Sequence, residues 1–183
     1  MKWIISLILT ILLAPIISII IWYSAFFLPY IYEIRKIAEL GFQHSSPSTA
    51  LIYKYALVAE SRQGIRGYAV SKIHRGLLFH NKPPRSLIRN ISGTLWYIAS
   101  YIHFNDRDIF GVWLFCALSE CDQGFQEASI RYYKKDLSSL SERELVGLVA
   151  MVRGQNYYKL GSSRLEERID AILGKAKTYD VSF

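Results

Sequence analysis

Three observations predict a mainly α-helical protein behind one amino-terminal transmembrane helix. The thirty residues at positions 3–32 contain no charged side chain. The roughly 150 residues after them carry apolar positions at helical spacing between recognisable caps and stops. No stretch shows the period-two alternation of a half-buried strand.

The uncharged stretch is bracketed by Lys2 in front and by Glu33, Arg35 and Lys36 behind. An α-helix needs about 20 apolar residues to cross a hydrocarbon core, so residues 1–36 are expected to form an anchor that spans once. Pro15, mid-span, predicts a kink, and Pro29 marks the helix end near the interface. Trp3, Trp22, Tyr23, Tyr30 and Tyr32 lie toward the two ends, where amphipathic rings prefer headgroup depth. A cleaved signal peptide is the alternative. The apolar stretch exceeds the roughly 7–15 residues of a signal h-region and no small-x-small site follows it, which favours a retained anchor. Lys2 and the terminal amine oppose Arg35 and Lys36, so charge alone does not set the orientation.

Residues 37–183 suffice for one domain with its own core. Of 22 basic residues only Lys2 precedes Glu33, and all 15 acidic residues lie from Glu33 onward. A basic domain held at a bilayer suits anionic headgroups, lipid-linked phosphates or an acidic polymer, and a solvated basic surface is the plainer alternative. Nucleic acid is disfavoured because the charges are spread along the chain and no nucleic-acid motif occurs. Cys116 and Cys121 are too few and too close for a disulfide framework and are expected to be buried thiols. His44, His74, His80 and His103 fall in no metal pattern and are expected as surface or capping groups. No phosphate-binding glycine loop and no nucleophile elbow is present.

In chain order, the polar stretch 43–49 follows the anchor. Ser46 as N-cap and Pro47 as first helical residue open a helix through Leu51, Ile52, Tyr55, Ala56 and Val58 to about Glu60. Gln63, Gly64 and Gly67 are expected to break it, and a short helix follows over 69–79, ended by 81–84. Ser86 opens a long apolar helix to about His103. Asn105 caps the next, with Ile109, Phe110, Trp113, Leu114 and Leu118 on its apolar face, ending before the turn at 122–124. Residues 126–133 form another helix, and Leu140-Ser141 begins a run burying Leu145, Leu148, Val149 and Val152 that Gly154 stops. Ser163 caps a last helix carrying Leu165, Ile169, Ile172 and Leu173, stopped by Gly174.

Residues 124–135, GFQEASIRYYKK, resemble the G-I-E-A-A-A-R-x-Y-F-G-K of the glycosyltransferase domain of class A penicillin-binding proteins and monofunctional peptidoglycan transglycosylases (glycosyltransferase family 51). Residues 136–151 are similar to the family's next segment, with Glu144 on its glutamate. Tyr157 and Tyr158 fall in its P-x-x-Y loop, and 164–173 resembles its closing helix with Arg168 on the arginine. Residues 85–110 are similar to R-S-x-x-R-K-I-x-E-x-x-x-A-x-x-L-E, with Arg89 on the arginine and Gly93 where the family carries its second catalytic glutamate. ALVAESR at 56–62 resembles A-x-x-A-x-E-D-R, placing Glu60 on the first catalytic glutamate and Ser61 on its aspartate partner. The family's G-G-S-T-x-T-Q-Q-L block has no counterpart between Glu60 and Arg85.

The resemblance implies a lysozyme-like glycosyltransferase domain on the outer side of the bacterial cytoplasmic membrane, with Met1 inside. Its partners would be a lipid-linked peptidoglycan precursor (lipid II) or glycan strand, the membrane itself and other cell-wall synthesis proteins. Family members join glycan strands by attack of a sugar hydroxyl on a lipid-diphosphate donor, which needs a base and positive charge for the leaving diphosphate. Glu60 is the expected base. At a helix C-terminus and in an apolar cleft its pKa should rise. For the diphosphate the expected cation is Arg89, followed by Arg62, Arg66 and Lys72.

No cofactor is implied. A divalent cation often helps the family, but no residue here specifies a site. Gly93 and the absent block open a second reading, an inactive relative that binds precursor or a synthesis partner. A third is glycan cleavage by Glu60, since Glu60-Ser61 and Ala69-Val70-Ser71 resemble the E-S and A-V-S of lytic transglycosylases with a spacing two residues off. Glu120 and Asp122 are candidates for a second acid opposite Glu60.

Overall fold

The computed structural model describes residues 2–45, 47–79, 86–118 and 124–179, with side chains omitted at 2 and 4–9. Among these residues every regular element is helical. The chain opens with α1 (Lys2–Phe26), whose 25 residues extend about 37 Å at 1.5 Å per residue, enough for a hydrocarbon core of roughly 30 Å. Ile11, Ile16, Ile17, Ile20 and Ile21 stand exposed along it, and it is the one described helix apolar and long enough to cross a membrane. Pro15 lies inside α1, which continues as one helix through it. Pro29 sits in a 3-10 turn (Leu28–Tyr30) just beyond the helix end, as expected.

Next comes α2 (Ile31–Ser45), a helix that begins inside the expected anchor and runs into the first three residues of the polar stretch 43–49. It buries Ile34, Ala38, Gly41 and Ser45, a stripe at helical spacing in which three of the four residues are small. Those small residues let its backbone approach α5 (Asp106–Cys116). A Cβ added to Gly41 would lie 1.9 Å from the Gly111 carbonyl oxygen, and one on Gly111 would lie 2.4 Å from that of Ala38. The helices cross at glycine on both sides.

α3 (Thr49–Leu78) has two limbs: the first ends at Glu60, as expected, and the second runs through the expected break at Gly64 and Gly67. The core face Ile65, Ala69, Val70 and Ile73 is buried, and this packing outweighs a helix-interior glycine's cost of about 1 kcal/mol. The interruption falls instead at Ser61, whose φ of 62° and ψ of 166° bend the helix into two limbs. Ser61 recaps the second limb: its hydroxyl accepts from the Gly64 N–H at 3.3 Å. The helix also starts two residues beyond Pro47, and Ser46 lies outside the described residues.

The other elements follow the expected order. α4 (Ser86–His103) packs on α3; its expected preceding break at 81–84 lies outside the described residues. Asn105 and Asp108 form a capping box at the start of α5. α6 (Gly124–Tyr133) begins at a glycine with φ +48°, whose added Cβ would meet the Leu114 carbonyl at 1.8 Å. Ser141 and Glu144 form a second capping box on α7 (Glu142–Met151). α8 (Ser163–Ala176) is capped by Ser162, not Ser163, through a 3.3 Å bond from Leu165 N–H. It runs past Gly174 because Ala176 still packs into the core. Trp96, Trp113, Phe110, Phe125 and Leu148 are fully buried at the centre. Cys116 is buried but disulfide-bonded, so the expectation of a free thiol is corrected.

The α2–α5 crossing predicts opposite outcomes for two glycine substitutions. Gly111→Ala forces backbone apart and should cost about 1–3 kcal/mol. Gly76→Ala, where nothing lies within 4 Å of the added carbon, should add about 1 kcal/mol through helix propensity. Thermal unfolding of the detergent-solubilised chain measures both.

Candidate functional site

Glu60 and Arg168 fall in one neighbourhood beside α3, and Arg89 and Gly93 in another. The first surrounds Glu60, the last residue before the Ser61 bend. Its carboxylate accepts from Arg168 Nη2 of α8 at 3.1 Å, and both side chains are largely buried. The Arg168 guanidinium rests 5.0 Å from the Tyr158 ring centre. Burial pushes the Glu60 carboxyl up, and the positive charges of Arg153 and Arg168 oppose the shift without cancelling it. Gly64 leaves the space beside this carboxylate: its added Cβ would stand 3.6 Å from Glu60 Oε2.

The second neighbourhood is a cleft of about 610 Å³ between the second limb of α3 and α4. Arg75 and Arg89 line it with Ser71, Asn90, Thr94 and Tyr97, and among the described residues no carboxylate does. Arg75 donates to Ser71 Oγ at 2.7 Å. Gly93 and His74 lie together in its wall, a Cβ on Gly93 falling 3.7 Å from His74 Nδ1. The other ring nitrogen, Nε2, is 3.0 Å from Ser92 Oγ. Burial, with a smaller push from Arg75, lowers the His74 pKa to about 4, so the ring is neutral near pH 7.

Glu60 is not among the residues lining this cleft. Gly64, beside Glu60, and Gly67, at the cleft edge, are three residues apart on one face of α3, about 4.5 Å along the axis. Arg89 is exposed in the cleft. The other three expected cations lie elsewhere. Arg62 pairs with Asp106 at 3.3 Å in solvent, and Lys72 Nζ sits 5.6 Å from the Tyr68 ring centre. Arg66 is buried and donates to the carbonyls of Ser100 at 2.9 Å and Phe104 at 3.3 Å and to Asp106 at 3.0 Å. It joins helices and leaves no donor face toward the cleft.

Sequence reasoning missed Arg75 and the Glu60–Arg168 pair, and it placed His74 on the surface. His74 had a signal: it follows Val70 by four residues, on the core face of the helix. Glu120 and Asp122 lie outside the described residues. Among the described residues no three His, Cys, Asp or Glu side chains gather as a metal site would require.

The arrangement can hold an anion between two guanidinium groups, with hydroxyl and amide donors around it and a neutral imidazole in the wall. A half-buried carboxyl with a raised pKa stands next along the helix. No protein-family profile, curated protein or solved structure matches the chain.

Both titrations carry a sign. Glu60 has a raised folded-state pKa, so its stabilising contribution is complete below the unfolded value of 4.5 and is lost as pH rises through the folded value. Arg168→Met should raise that pKa further and cost about 2–4 kcal/mol at pH 7, somewhat less than a fully buried pair; carbon-13 NMR of the Glu60 carboxyl and denaturant melts read the two effects. His74 has the opposite sense. Its contribution is present above the unfolded pKa of 6.5 and is lost as pH falls toward about 4. His74→Gln should flatten the pH dependence of stability over that window.

Proposed function

We propose that this protein is a membrane-anchored, divergent relative of the peptidoglycan glycosyltransferases that binds the diphosphate of a lipid-linked precursor in the α3–α4 cleft and does not polymerise it. The observation that carries the reading is the cleft's composition among the described residues: two arginines, neutral donors and no carboxylate. The resemblance puts a catalytic glutamate at Gly93, and Gly93 lies in that cleft beside His74. The other acid, Glu60, is tied to Arg168. Loss of one member from a set of groups that act together removes most of their rate enhancement.

The resemblance also supplies the lysozyme-like architecture and the site of action, the outer face of a bacterial cytoplasmic membrane. The disulfide at Cys116 supports that side, because such bonds persist in oxidising compartments.

One observation favours turnover as a second reading. The Glu60 carboxyl is largely buried with a pKa raised by that burial, a feature shared by catalytic proton acceptors. The two readings separate in one experiment on the full chain in nanodiscs. Binding without turnover predicts saturable lipid II binding that Arg89→Ala weakens by about tenfold or more, as expected for a lost charge-assisted contact, and no glycan product above a heat-killed control. Polymer formation abolished by Glu60→Gln would overturn it in favour of the polymerase. Absence of both binding and product would overturn both.

A further inference from the structure

The sequence of α4, SLIRNISGTLWYIASYIH, contains no acidic residue and one arginine. Its residues sort onto three faces. Ser92, Trp96, Ala99 and Ser100 point into the core. Arg89, Asn90, Gly93 and Tyr97 line the cleft. The third face carries Leu87, Ile88, Ile91, Leu95, Ile98 and Ile102 at helical spacing, a stripe about 100° wide. All of these but Leu95, which is half-buried, are exposed, Ile102 by 73% and Leu87 by 68%. Such a stripe on a helix otherwise packed into a domain marks a surface that meets something apolar.

The anchor says what it meets. Trp22 and Phe26, one turn apart near the end of α1, share an apolar groove with Ile88, Ile91 and Ser92 of the first half of α4. Tyr23 and Phe27, on the adjacent face of the same turn, reach the second half of α4. The Tyr23 hydroxyl bonds His103, and Phe27 packs edge-on against Trp96 with ring centres 5.0 Å apart. The α4 residues that these side chains meet directly or face across the groove run from 88 to 103, about 22 Å of helix, while the facing residues at the end of α1 and just beyond it run from 22 to 27, about 7.5 Å. The two helices therefore cross, with α4 lying athwart the end of α1. A helix transverse to a membrane-spanning one runs along the membrane plane, at the depth where Trp22 and Tyr23 form an aromatic belt.

We infer that α4 lies in the headgroup–acyl boundary of the bilayer, with the stripe from Leu87 to Ile102 inserted among the lipids as an in-plane amphipathic helix. The stripe adjoins the exposed apolar surface of the anchor at Phe26, which shares the groove with Ile88 and Ile91. The inference stands on α1 spanning the bilayer and is independent of any transglycosylase reading.

The test uses the full chain reconstituted in phosphatidylethanolamine–phosphatidylglycerol vesicles, with a nitroxide spin label at Ile91→Cys, Ile98→Cys or Ile102→Cys and an exposed control at Glu167→Cys on α8. Cys116 is already disulfide-bonded and leaves the introduced thiol for labelling. Collision with oxygen, which concentrates in lipid, should exceed collision with a water-soluble nickel chelate at the three α4 positions, and the order should reverse at Glu167. A stripe label accessible to the chelate as at Glu167 would overturn the inference. So would labels shielded from both reagents with dipolar broadening that grows with protein density, which would mean that a second copy covers the stripe.

Discussion

The buried guanidinium of Arg66 is the constraint on which the rest of the structure depends. It rises from the second limb of α3 and donates to two carbonyls at the C-terminal end of α4, that of Ser100, which also accepts the Phe104 N–H, and that of Phe104, together with the Asp106 carboxylate in the first turn of α5. The Tyr101 ring closes one face of it, with the guanidinium carbon 4.2 Å from the ring centre. A cation this deeply buried is tolerated only where each donor is answered, and here the answer comes from two helix ends at once. The position of α4 against α3 follows, and with it the cleft between them. The aromatic bed that receives Tyr23 and Phe27 of the anchor also lies on that stretch of α4.

The same second limb of α3 decides what the cleft contains. His74 is drawn into the core by its place among Val70, Ile73 and Leu77, and burial keeps it neutral. A side chain at Gly93 would meet it only at ordinary van der Waals distance, so space does not forbid an acid there. An acid at 93 would instead face Arg75 and Arg89 and neutralise the positive field that makes the cleft an anion site. With glycine there no carboxylate at position 93 offsets the two arginines, and Ser71 and the Asn90 amide stand beside them, while Thr94 donates to the Asn90 carbonyl and the Tyr97 hydroxyl bonds that of Tyr101.

What the sequence made legible, and what it concealed, follows from the range of the interactions. The capping boxes at Asn105 and Ser141 lie within three residues of their partners, and the anchor announces itself by thirty consecutive uncharged positions. Both were readable. The α2 stripe was not, because Ala38, Gly41 and Ser45 bury backbone rather than hydrocarbon and raise no apolar signal. The end of the first limb of α3 at Glu60 was readable, but the early start of the second was hidden by the opposite error, in which Gly64 and Gly67 read as punctuation although the buried face of Ile65 and Ala69 carries that limb through them. The Glu60–Arg168 pair joins residues 108 apart, and no local pattern links them. The disulfide at Cys116 was equally unreadable, since pairing depends on where a loop returns and not on spacing alone.

Charge at the two ends of the anchor left the orientation of the protein open, and the geometry of α1 against α4 replaces that question with a sharper one. If α4 lies in the plane of the interface, its three faces assign three environments: core below, lipid along the stripe, and the cleft on the remaining side. The cleft then opens at headgroup depth, beside the apolar groove between Trp22, Phe26, Ile88 and Ile91. A ligand with an anionic head and a long hydrocarbon tail would meet the arginines without leaving the bilayer, whereas a soluble anion would have to approach along the membrane surface. The diphosphate specificity proposed for the cleft would then come from depth as well as from charge, since two guanidinium groups hold any phosphate but only a lipid-borne one is delivered to this level.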